Sequence, residues 1–121
     1  MIIKNLILVG LGGMTGSLLR YLLYVAFGNQ SFPYATLIIN IIGSFVIGIV
    51  TAVAIKNASF DSSWKLFLAT GVCGGFTTFS AFSIETVLLL QQNRNIAAFL
   101  YVAGSVGFGF VAALLGYVTG R

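Results

Sequence analysis

The chain has no histidine, one cysteine, one proline and two acidic residues among 121. Each shortage removes a class of chemistry. With no histidine and Cys73 alone, a single chain holds no disulfide framework, zinc site or Cys/His nucleophile pair. Cys73 reads as a small buried apolar residue. Charged residues make up 7% of the chain, against about 25% in an ordinary soluble domain. A water-facing surface cannot be built from so few charges, and with a mean hydropathy of +1.06 the sequence reads as one integral membrane domain, 1–121. The net charge of +4 carries no nucleic-acid signature, because five of the six cations sit at or near gaps between apolar runs or at the chain ends, with no basic stripe.

Apolar sequence is what the chain has in abundance. A helix needs about 20 apolar residues to cross the hydrocarbon core. Four runs meet that length, 2–27, 33–55, 64–90 and 96–118, the first interrupted by Arg20. The spacing predicts an all-α fold of four transmembrane helices joined by the short linkers 28–31, 56–63 and 91–95. Pro33 suits the first turn of the second helix. Trp64, Tyr24, Tyr34 and Tyr117 lie near run ends, where aromatic belts form. The first run is too long for a signal-peptide core and lacks a small-residue cleavage site, so it reads as a span. Lys4, Lys56, Lys65 and Arg121 fall on one side of the membrane and Arg94 and Arg20 on the other. That is a weak positive-inside bias, small enough to allow insertion in both orientations.

Glycine is patterned. Gly12–Gly16, Gly71–Gly75 and Gly116–Gly120 are GxxxG pairs, and Ser44–Gly48 and Ser105–Gly109 are small-xxx-small pairs. Such pairs let helices approach closely, either within one chain or between subunits. Four helices enclose little interior, while several polar residues need shelter from lipid, which tips the reading toward an oligomer.

Those polar residues carry the functional question. Asn40 is either bonded to a neighbouring helix or a donor facing a solute. Arg20 either snorkels to the interface or lines an anion-attracting vestibule. Glu85, the one acid inside a span, suits a vestibule, a proton-coupling site or a helix end. Gly74, Gly75, Thr77 and Thr78 weaken the middle of the third run. If the helix breaks there, its freed carbonyls suit a small hard cation, and Thr78, Ser80 and Ser83 add hydroxyls; the alternative is a kinked, intact helix. Phe76, Phe79 and Phe82 recur every three residues, each step lagging by about 60° on a helix. Phe79 and Phe82 therefore neighbour one another, either as packing or with weakly positive ring edges turned to an anion. Tyr101 and Ser105 form an i,i+4 row continuing to Gly109, either a polar track or a source of bonds to other helices.

Three stretches, GGMTGSLLRY (12–21), FPYATLIINIIGSFVIG (32–48) and GVCGGFTTFSAFSIE (71–85), resemble the Fluc/CrcB family of small bacterial fluoride channels. The resemblance covers the whole chain and implies a passive fluoride-selective channel in the bacterial inner membrane. It implies a homodimer of oppositely oriented subunits with two fluoride pathways and a third helix broken at mid-membrane. A structural sodium ion would be held by the backbone carbonyls of Gly74 and Thr77. Asn40, Phe79, Phe82, Ser80, Tyr101 and Ser105 would line the fluoride pathway, with Arg20 and Glu85 in the vestibules. Gly109 stands where relatives can carry a hydroxyl, and the basic bias exceeds what a cleanly dual-topology protein prefers. No catalytic residue is implied. The competing readings are a proton-coupled small multidrug-type exporter, which needs a membrane-embedded carboxylate, and a structural subunit of a larger complex.

Overall fold

The computed structural model describes residues 1–57 and 59–121; Ala58, in the second expected linker, lies outside the described residues. Four helical spans are present, Ile2–Phe27, Tyr34–Lys56, Ser62–Gln91 and Asn95–Gly120, all long and apolar enough to cross a membrane. No strand occurs among the described residues. Pro33 falls immediately before the second helix, at its N-cap. Between the third and fourth spans Asn93 takes a left-handed conformation, φ 59°, which asparagine tolerates well. Next to it, an Nη1–H of Arg94 donates to the carbonyl of Ser31, tying the third turn to the first on one side of the bundle.

The third span is not one helix. Residues 62–76 form an N-terminal arm and Phe79–Gln91 a C-terminal arm. Thr77 and Thr78 between them are extended, with φ, ψ of −80°, 157° and −150°, 120°. The expected break is therefore real, but it falls on the threonines; Gly74 and Gly75 stay in a helical turn. Within the N-terminal arm, Leu66–Cys73 is a π-helix, whose hydrogen bonds span five residues.

The helices pack as two pairs. The first span lies against the N-terminal arm, and the second lies along the fourth. Glycine makes both approaches possible. A Cβ on Gly75 would sit 2.9 Å from the Cα of Gly13, and one on Gly120 would sit 2.8 Å from the carbonyl oxygen of Ile49. The three GxxxG pairs are thus used within the chain, which decides between the two uses that the sequence left open. The C-terminal arm closes on the fourth span around Leu89, Ala98 and Tyr101, with Phe32, Leu37 and Phe82 packed against them.

Candidate functional site

The break is fastened from two directions. Asn40 of the second span pairs with the backbone of Thr78: its Nδ2–H donates to the Thr78 carbonyl at 3.0 Å, and its Oδ1 accepts the Thr78 N–H at 2.9 Å. The side-chain amide takes the Thr78 N–H, which neither arm pairs, and adds a second donor to the carbonyl that opens the C-terminal arm. From the other side, Arg20 donates its Nε–H to the Gly75 carbonyl at 3.1 Å. In a continuous helix that carbonyl would accept from Phe79, which now begins a separate helix. Thr78 also starts the C-terminal arm, its Oγ1 accepting the Ala81 N–H at 3.1 Å.

These bonds decide which carbonyls remain. The N–H that would reach back to Gly74 is that of Thr78, and Asn40 holds it. The Gly74 carbonyl is left without that partner, on an exposed residue. Thr77, whose N–H and hydroxyl both turn back to the Cys73 carbonyl, lies beside it on the same groove. Neutral carbonyl oxygens suit a hard cation such as sodium, so the donor set fits. Two carbonyls are fewer than such an ion takes.

Around the break runs a groove of 430 Å³ between the second, third and fourth spans. Asn40, Phe79, Phe82, Ser105, Gly74 and Thr77 all line it. No charged residue does, among the described residues. Phe79 and Phe82 stand 5.8 Å apart by ring centroid, and Phe79 is 78% exposed. The Oγ of Ser105 is buried with no hydrogen-bond partner among the described residues.

Other expected residues sit elsewhere. Ser80 is exposed beside the groove, its Oγ 3.2 Å from Thr78 Oγ1. Ser83 returns its hydroxyl to the Phe79 carbonyl. Tyr101 is fully buried behind Phe82, at 5.1 Å between centroids. Its hydroxyl donates to Glu85 Oε1 at 2.8 Å. Glu85 Oε2 accepts from the hydroxyl of Thr36 at 3.0 Å, and Tyr24 bonds Thr36 at 2.7 Å. Glu85 also faces a second hollow, of 290 Å³, at the end of the bundle near Gln30, Tyr34 and Gln92. Arg20 lies at the rear of the break.

Sequence reading missed Tyr24 and Thr36. Thr36 had a signal: it precedes Asn40 by four residues, and Ser44 follows by four, so the second span carries one polar row.

Residues 7–117 match the sequence profile of the family described as CrcB-like protein, Camphor Resistance (CrcB). The chain is 44% identical over 119 residues to a protein of Chlorobium chlorochromatii named fluoride-specific ion channel FluC, covering 97% of this chain and 92% of that one. A protein of the same name from Leptospira interrogans is 46% identical over 114 residues, covering 88% and 90%. One from Oceanobacillus iheyensis is 43% identical over 114 residues, covering 93% and 88%. With four membrane-spanning helices, the third broken at its centre, and a family match along nearly its whole length, the chain belongs to the CrcB-like family.

Proposed function

We propose that this protein is a passive fluoride-selective channel, working as an antiparallel homodimer in the bacterial inner membrane. The observation that carries the reading is the uncharged groove at the break, where Asn40, Phe79, Phe82 and Ser105 meet. A fixed cation there would bind an anion too tightly to release it, whereas neutral donors and ring edges bind weakly at several points. The family relatives named as fluoride channels support the choice of ion.

One chain leaves the groove open along its side and Phe79 outside. A second copy would close it and keep polar groups from lipid. Two such copies give two lanes, each lined by the rings of Phe79 and Phe82. Gly74 and Thr77 of both copies would hold sodium, which supplies fixed positive charge and a staple at mid-membrane. Glu85 and the hollow beside it serve as a mouth.

Fluoride enters cells as neutral hydrofluoric acid and ionises in the less acidic cytoplasm. The channel lets it leave down its gradient, aided by an inside-negative potential of about 2.3 kcal/mol per charge per 100 mV. No bond is made or broken, so no catalytic group is required.

The test is fluoride efflux from liposomes holding the purified protein alone, read with a fluoride electrode. Flux without a proton gradient is expected, and Phe79→Ile or Phe82→Ile should lower it about tenfold, as lost ion contacts do, without unfolding the protein. Silence of the wild type, or unchanged flux in both variants, overturns the reading.

A further inference from the structure

We propose that Ser44 of the second span supplies the next hydroxyl of the anion lane beyond Ser105, in the place where the fourth span has only Gly109. Resting on the channel reading above, this assigns a two-hydroxyl site for a dehydrated small anion, fluoride, to the end of the groove beyond Asn40. Two rows face each other there. Thr36, Asn40 and Ser44 follow one another at i,i+4 on the second span, and Tyr101, Ser105 and Gly109 do so on the fourth. The first rung is joined through Glu85, which accepts from both Thr36 and Tyr101. Asn40, Ser44, Ser105 and Gly109 all line one groove. At the last rung the fourth span offers no side chain. A Cβ on Gly109 would meet only Ser44 Oγ within 4 Å, in ordinary contact at 3.8 Å, so that hydroxyl is the protein group beside the place a side chain would take.

Both serines have hydroxyls to give. Thr15, Ser83, Thr86 and Thr119 return theirs to the carbonyl four residues earlier, the common fate of a helical hydroxyl. Ser44 makes no side-chain hydrogen bond among the described residues, and Ser105 Oγ is buried and unpartnered among them. A buried hydroxyl without a partner is unfavourable, and a small anion accepting from it removes that cost. Asn40 keeps a second amide hydrogen after its bond to Thr78. Three neutral donors against apolar walls of Ile47, Val106 and Phe110 suit an ion that is small and a strong acceptor. A larger halide accepts more weakly from the same donors, so the site favours it less.

The experiment is liposome fluoride efflux for the wild type, Ser44→Ala, Gly109→Ser and the double variant Ser44→Ala/Gly109→Ser. Each is checked for a single elution peak and wild-type thermal melting. Ser44→Ala should slow efflux about tenfold, the loss of one hydrogen bond to an ion. A serine at position 109 carries its hydroxyl on a Cβ beside the place of the Ser44 hydroxyl, so the double variant should regain most of the rate. Rescue by a residue on another helix separates a donor from a packing role. If the wild type conducts and Ser44→Ala conducts equally, or the folded double variant stays slow, the assignment of Ser44 is overturned while the channel stands. A silent wild type overturns the channel reading, and this assignment with it.

Discussion

Asn40 shows how much one side chain does at the break. Its amide gives a bond to the Thr78 carbonyl and takes one from the Thr78 N–H. Asn40→Ala orphans the Thr78 N–H, at about 1–3 kcal/mol when left unmade in a buried setting, and leaves the Thr78 carbonyl only its helical donor. A lower melting temperature in detergent, together with loss of fluoride flux, is the expected result, and melting by intrinsic fluorescence checks it. Glu85 is a different case. It accepts from Thr36 and Tyr101, and a glutamine there keeps one acceptor while one hydroxyl must turn away. Glu85→Gln should keep substantial flux at a stability cost of about 1 kcal/mol, one net hydrogen bond. A proton-coupled exporter would lose transport outright, so efflux measured at several proton gradients separates the two.

At the scale of the element, the third span trades helix continuity for a cluster of backbone groups at mid-membrane. Unwound backbone at that depth persists only where protein satisfies it or a cavity lies beside it. Here Asn40 and Arg20 satisfy the Thr78 N–H and the Gly75 carbonyl, and the groove lies beside Gly74 and Thr77. The arm that carries this cluster is held by close contact with the first span. Gly75→Ala would place a methyl 2.9 Å from the Gly13 Cα, against backbone that cannot turn aside. Overpacking of this kind costs about 1–3 kcal/mol, so this variant should melt lower and conduct less. Gly107→Ala, at a position with open space around it, is the matched control and should behave as the wild type.

At the scale of the whole molecule, the single chain leaves its groove open. Phe79 is 78% exposed, and Gly74, also exposed, lines the same groove. A sodium ion shared between two copies would stabilise the assembly by mass action. Replacing sodium with a large organic cation should therefore lower the melting temperature of the dimer in detergent and shift it toward monomer. Calorimetry and light scattering read the two effects; a protein indifferent to sodium has no such site.

The sequence alone settled what depends on neighbours along the chain. Span number and ends follow from run length against a fixed hydrocarbon thickness, and all four agree with the structure to within two residues. The weak centre of the third span was legible in glycine next to β-branched threonine, and the adjacency of Phe79 and Phe82 in their spacing. Other features depend on which helix lies opposite, and no local pattern encodes that. Arg20 and Gly75 are 55 residues apart, Asn40 and Thr78 are 38 apart, and Thr36 and Glu85 are 49 apart. Only the packed bundle decided that Arg20 fastens the break, that the GxxxG pairs face inward within one chain, and that Ser44 stands across from Gly109. Hydrogen bonds are directional and short, so their partners exist only once the close approach of glycine-faced helices has fixed every helix in register.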